Sequence, residues 1–366
     1  MHVNRNGRPV TSGWSRIWRA AALSAVLMGF GSYACEARSD GYHLLNVVKL
    51  PMVSGWDDLT IDPSKRELFI SNNSGVVIVN TDSLQVDGTI PNPLSWPGIG
   101  LVHGIALAPR LDRGFISREI PPSVVTFDLR TLRVLRTTRT APGPDTIIFD
   151  PPTRRVFTFE GKYPGVRSVT ALNAVNGKIL GTAALPGVPQ AAVTDGAGVL
   201  YVNIETRDEV ARIDTRSLRL LGSWPLAPCR DPGPLAIDAA HGRLFAACGN
   251  RMLVMVDADG GRVIGSVASG GGTDALAFDA ATGDLFASNG EGTLTIARET
   301  SPQHLTLIGN IKTEPGARTL ALNAATHKVF LLAAQFGPPP AHPTAANPHG
   351  YPLIVPGSVK LLVFGP

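Results

Sequence analysis

One apolar segment recurs seven times along the chain at nearly constant spacing, and this period constrains the fold more than any other property of the sequence. It reads LTID ending at Asp62, IALA at Ala108, IIFD at Asp150, AVTD at Asp195, LAID at Asp238, LAFD at Asp279 and LALN at Asn323, in steps of 46, 42, 45, 43, 41 and 44 residues. A repeat of about 40 to 50 residues is the length of one propeller blade. A short turn follows each segment, then a second β-rich run: LFIS from Leu68, GFIS from Gly114, VFTF from Val156, LYVN from Leu200, LFAA from Leu244, LFAS from Leu285 and VFLL from Val329. Third runs begin at Val76, Val124, Val169, Val210, Leu253 and Leu294, and most end in Asp or Asn. Such a residue bonds its own downstream backbone and starts the turn into a fourth run, as at Val86 to Ile90, Ile179 to Thr182 and Val263 to Val267. Each blade therefore reads as four strands.

The seventh repeat has a third strand, Val359 to Phe364, and no fourth, while an unassigned strand-like segment, Leu44 to Leu50, precedes the first repeat. Pairing the two would close the ring and reduce open edges. The expected fold is all-β: one seven-bladed propeller of four-stranded blades over residues 41 to 366, closed by the N-terminal strand in the last blade. The 366 residues suit such a unit, and 39 glycines and 30 prolines suit short strands joined by tight turns.

Ahead of the repeats, Arg5, Arg8, Arg16 and Arg19 precede an apolar run from Ala20 to Tyr33, with no acidic residue before Glu36. This pattern predicts an export signal over residues 1 to 34, followed by a linker over 35 to 40, in a periplasmic or secreted protein. Cleavage before Cys35 is the plain expectation, and a lipid anchor on Cys35 is the weaker alternative because Ser32 and Tyr33 depart from a lipobox. No later segment is long and apolar enough to span a bilayer as a helix. Removing residues 1 to 34 removes four of the 33 basic residues and none of the 29 acids, leaving 29 of each sign. A balanced surface makes no electrostatic case for nucleic acid or anionic lipid as partner.

LYVN at Leu200 with RIDTRSL from Arg212, and ELFISNN from Glu67 with VNTDSL from Val79, resemble the YVTN-repeat (YncE-like) family of seven-bladed propellers. The resemblance covers essentially the whole chain after residue 40. It implies the fold, and it implies a choice of roles, since the family includes binding proteins, surface proteins and propeller subunits of enzymes.

Cys229 lies just before the first strand of blade 5 and Cys248 ends its second, so antiparallel neighbours bring both to one rim within bridging reach. A Cys229–Cys248 disulfide is expected, closing a loop of about 18 residues and adding on the order of 3 kcal/mol. No CxxC or CxxCH occurs, which argues against a thioredoxin-like centre or attached c-type haem.

Superposed, the repeats place Asp57, His103, Asp145, Gln190, Gly233, Asp274 and Arg318 at one position, five residues before the end of each first strand. Six of the seven are polar, and inner strands begin at the rim of the central channel. The loops after the second strands bring Asn72, Arg118, Glu160, Asn203, Glu205, Asn250, Asn289 and Gln335 to the same face. A concave mouth with convergent polar groups is the expected ligand site. Asp57, His103, Asp145 and Glu160 are candidate ligands for a divalent cation, although no cofactor is required. Asp57, Asp145 and Asp274 equally suit turn-capping, and Arg318 equally suits a pair with Asp274. A proline-rich connection, Gly337 to Gly357, and an excursion from Pro91 to Leu101 carrying Trp96 approach the same face as lids, docking surfaces or plugs.

Metalloprotease, P-loop, Rossmann and nucleophile-elbow motifs are missing, and Asn72-Asn73-Ser74 is a lone sequon. The residues point to a non-catalytic module that binds a small ligand or a periplasmic protein through the channel mouth. The alternatives are a lactonase-like hydrolase or lyase with a metal in the mouth, or the propeller subunit of a periplasmic dehydrogenase.

Overall fold

The computed structural model describes residues 2–3, 9–10, 41–52, 55–73, 75–92, 102–342 and 352–366. Most of the expected export signal, Cys35, Trp96 and residues 343–351 of the proline-rich connection lie outside the described residues. A two-residue ladder pairs His2–Val3 with Pro9–Val10.

Seven four-stranded antiparallel sheets form the rest of the described fold. Each inner strand contacts that of the next blade, and blade 7 returns to blade 1. Blade 1 begins with Trp56–Asp62, blade 2 with Val102–Ala108, blade 3 with Pro144–Asp150, blade 4 with Pro189–Thr194, blade 5 with Pro232–Asp238, blade 6 with Thr273–Asp279 and blade 7 with Leu320–Asn323. The ring closes as expected: His43–Lys49 pairs antiparallel with Lys360–Gly365 and becomes the outer strand of blade 7. Among the described residues the helical elements are two three-residue 3₁₀ turns, Pro109–Leu111 and Glu205–Arg207.

The core consists of seven slabs, one between each pair of blades. Strand side chains alternate between the two faces of a sheet, so each blade contributes to the slab before it and the slab after it. Blades 3 and 4, for example, bury Phe157 and Phe159 against Leu200, Val202 and Ile204. The third residue of every second strand is aromatic: Phe69, Phe115, Phe157, Tyr201, Phe245, Phe286 and Phe330 are all buried. Burying one such side chain is worth roughly 1.5–3 kcal/mol, and the repeat collects it seven times.

The turns behave as their residues require. The carboxamide oxygen of Asn80 accepts the amides of Asp82 and Ser83, and Asp214 does the same for Arg216 and Ser217. These strand-terminal side chains fold the chain back into the outer strand. Cys229 and Cys248 are joined by a disulfide with a Cα separation of 5.3 Å.

Candidate functional site

Inner strands start, and second strands end, on one face of the ring. Near its start each of the first six inner strands carries a register shift, between Trp56 and Leu59, Val102 and Ile105, Pro144 and Ile147, Pro189 and Ala192, Pro232 and Leu235, and Thr273 and Ala275. The superposed residues Asp57, His103, Asp145, Gln190, Gly233 and Asp274 sit inside these bulges. A bulge turns a side chain out of the regular alternation, here toward the channel mouth. Across three blade junctions a side chain of the preceding blade also grips the backbone carbonyl of the superposed position: Ser117 that of Asp145, Asn203 that of Gly233 and Ser288 that of Arg318.

Five of the seven positions join into one arc of charge over blades 6, 7, 1, 2 and 3. Asp274 pairs with Arg318, the Arg318 guanidinium lies 3.7 Å from Asp57, Asp57 bonds His103 Nδ1, and Asp145 stands 3.6 Å from that nitrogen. His103 Nε2 is 2.9 Å from the Glu119 carboxylate, whose other oxygen accepts the Tyr163 hydroxyl at 2.9 Å. Both ring nitrogens therefore face carboxylates, an arrangement that the doubly protonated imidazolium satisfies by donating twice. Lys162 Nζ stands 3.1 and 3.0 Å from the two nitrogens, 3.6 Å from Glu119 and 3.7 Å from Asp145. With both N–H groups committed to carboxylates, the ammonium is held beside the ring by charge shared with the surrounding acids.

The titration behaviour follows from this packing. Burial and the Lys162 ammonium oppose a charge on His103, but Asp145 and Asp57 outweigh them and lift it to about 9. Burial would raise Asp57, yet His103, Lys162 and Arg318 hold its carboxyl far below the ordinary range. Glu119 is likewise raised by burial and lowered further by His103, Lys162 and Tyr163, to about 2. Burial pushes Asp274 up, with Arg318 opposing, and the Asp57 and Asp145 charges add to the rise. Neighbouring Asp58 is lifted by burial to about 6 while its carboxylate accepts the Ile105 amide at 2.7 Å.

The remaining superposed positions stand apart from the arc. Gln190 donates to Glu205 at 2.9 Å, a local pair in blade 4, and Gly233 faces open space. Several residues expected at the mouth are instead interior. Glu160 is fully buried, accepts the Ser168 hydroxyl at 2.6 Å and is not among the carboxylates near His103. Arg118 is buried and donates to Ser123 at 3.1 Å, Asn203 bridges to the carbonyls of Gly233 and Pro234, and Asn289 bonds Thr293 and Thr295. The reason is strand alternation: the last residues of a second strand still point at a neighbouring blade, and only the loop beyond reaches the mouth. Asn72 is buried, Asn250 bonds the backbone of Arg230 and Pro228, and the Gln335 backbone pairs with Val355.

Glu119, Lys162 and Tyr163 are the residues that sequence comparison misses. Glu119 lies one position past Arg118. Lys162 and Tyr163 sit on the loop between the second and third strands of blade 3, which runs from 161 to 167, whereas its counterpart in blade 5 runs only from 249 to 251. That extra length is the available signal. The foot of the proline-rich connection is also fixed: Phe336 bridges Ile354 and packs 6.3 Å from Trp56, the residue before Asp57.

Three atoms, one each from Asp57, His103 and Asp145, lie within 4.8 Å of one another and are the residues that could hold a metal ion. The Lys162 ammonium already supplies positive charge to this place, so an ion must displace it and take the His103 nitrogen from Asp57.

No protein-family model matches the chain, and no curated protein matches it in sequence. Solved structures share its architecture. A chain of a mitotic checkpoint complex superposes with a TM-score of 0.68 at 12% identity, covering 93% of this chain and 98% of that one. A chain of Kuenenia stuttgartiensis hydrazine synthase gives 0.64 at 14% identity, covering 78% and 94%. At these identities the likeness concerns the fold alone. The chain is a seven-bladed β-propeller with a charged arc at one mouth of its channel.

Proposed function

We propose that this propeller is a non-catalytic binding module of the YVTN type, and that it captures a cationic segment of a partner protein at the channel mouth. The observation that carries this reading is how the arc spends its groups. Neither nitrogen of His103 is left to exchange a proton with a substrate, because Asp57 and Glu119 engage both. The most exposed members of the arc are three carboxylates, Asp57, Asp145 and Asp274, with the Lys162 ammonium and the Tyr163 ring, while the Arg318 guanidinium is only 16% exposed. Such a rim suits electrostatic docking of a basic group. That one structural neighbour belongs to a protein complex supports protein binding as a use of the fold.

We also infer export. The arginine-rich, apolar leader supports it, and so does the Cys229–Cys248 disulfide, a bond that persists in oxidising compartments.

The test is fluorescence anisotropy with one lysine- and arginine-rich peptide and one aspartate- and glutamate-rich peptide. Only the basic peptide should bind. Asp145→Asn with Asp274→Asn should weaken it several-fold and flatten its salt dependence. Equal binding by the double variant removes the mouth as the docking surface. A second reading, a metal-dependent hydrolase, rests on the Asp57, His103 and Asp145 grouping. Stoichiometric metal in the purified protein would favour it.

A further inference from the structure

The seven repeats provide internal controls for one another, and blade 3 departs from the pattern inside its core. The fourth residue of the second strand is Ile70, Ile116, Val202, Ala246, Ala287 or Leu331 in the other blades, and Thr158 in blade 3. Two residues on, at the strand end, blade 3 alone has an acid, Glu160. Both are fully buried, on the face that carries Val156 into the slab with blade 2. Opposite them in register stand Thr170 and Ser168, and the Thr170 hydroxyl lies 3.2 Å from that of Thr182. A row of hydroxyls thus runs across the strands beside one carboxylate.

This row is incompletely satisfied. Ser168 donates to Glu160 Oε2 at 2.6 Å, but Glu160 Oε1 and the Thr158 hydroxyl have no partner. Blade 6 shows the satisfied version at the same place: Asn289 accepts from Thr273 at 2.6 Å and donates to Thr293 and Thr295, and Thr295 donates to Asn310 at 2.6 Å. An amide supplies donors and an acceptor together, whereas an ionised carboxylate only accepts. No basic side chain among the described residues faces Glu160, and burial lifts its carboxyl to about 8 against the Ser168 and Thr170 hydroxyls, so a cation at this place exchanges with a proton. Two fully buried oxygens without partners call for an occupant.

We propose that the slab between blades 2 and 3 binds a monovalent metal cation, Na⁺ or K⁺, through the Glu160 carboxylate and the hydroxyls of Thr158, Ser168 and Thr170. Oxygen-only ligands select a hard cation. A single carboxylate among neutral hydroxyls balances one positive charge, while calcium sites gather several carboxylates and carbonyls. Thr182 on the outer strand is exposed, so the hydroxyl row leads from the closed interior to the surface. The site is separate from the channel mouth and does not depend on the binding reading above.

The experiment measures the thermal unfolding midpoint of the full chain at one ionic strength in NaCl, KCl, CaCl₂ or N-methylglucamine chloride. The expected result is a saturable rise with Na⁺ or K⁺ over N-methylglucamine, lost in Glu160→Gln and weakened in Thr158→Val. Valine occupies the Thr158 position in blade 4, so the second variant retains a foldable core if the first does not. Identical midpoints in all four salts, a rise with Ca²⁺ alone, or an undiminished Na⁺ or K⁺ response in both variants would overturn the proposal.

Discussion

The hydroxyl of Ser117 ties His103 to Asp145 through the backbone: it accepts the amide of Gly104, next to His103 in blade 2, and donates to the carbonyl of Asp145 in blade 3. The distance between an imidazolium and a carboxylate at the mouth is thus set by a neutral group behind them. Ser117→Ala removes no charge, yet leaves a buried amide and carbonyl without that partner. It should cost about 1–3 kcal/mol in urea unfolding and weaken basic-peptide binding. A variant that unfolds at the wild-type midpoint would show that blade packing alone holds the two bulges in place.

His103→Leu should be more damaging, because it leaves the Asp57 and Glu119 carboxylates facing an apolar side chain. Breaking a buried ion pair by removing one member typically costs about 3–5 kcal/mol. The loss should shrink in acid as the abandoned carboxylates take up protons. Chemical denaturation of both proteins at pH 7 and pH 4 measures this difference.

The same cluster sets a pH window. His103 is raised to about 9 in the folded chain, so its stabilisation is fully present below its ordinary value near 6.5 and lost as pH climbs through 9. Glu119 is lowered to about 2, so its stabilisation is present above its ordinary value near 4.5 and lost as pH falls through 2. Asp58, raised to about 6, loses its contribution with rising pH below the His103 range. Unfolding midpoints followed from pH 6 to 10 should fall for the wild type and fall less for His103→Leu. Parallel curves would mean that His103 carries no extra proton in the fold.

The disulfide of blade 5 makes a separate prediction. Cys229→Ala with Cys248→Ala should lower stability by about 3 kcal/mol under oxidising conditions, and a reducing agent should bring the parent down to the same midpoint. A midpoint indifferent to reductant would mean that the loop is already held by its neighbours.

The architecture is legible in the sequence because a blade is a periodic object, and period, turn residues and strand alternation repeat seven times. Closure through residues 43–49 follows from counting strands. The site is legible only in part. Asp57, His103, Asp145, Asp274 and Arg318 share a repeat position and come together, because a bulge aims the first four at the mouth and Arg318 lies just ahead of its inner strand. Glu160, Arg118 and Asn289 end their second strands, Asn203 lies one residue before the end of its own, and they do not come together, because a residue still within a strand belongs to one face of a sheet. Lys162 and Tyr163 lie in an insertion with no counterpart in the shorter loops, so superposing repeats passes over them.

The pairing of His43–Lys49 with Lys360–Gly365 places the last seam of the ring between the strand that precedes blade 1 and the third strand of blade 7. Blades 1 to 6 can form in order as the chain emerges, but His43–Lys49 has nothing to join until the third strand of blade 7 is made. Until then that strand is an unsatisfied edge, open to mispairing.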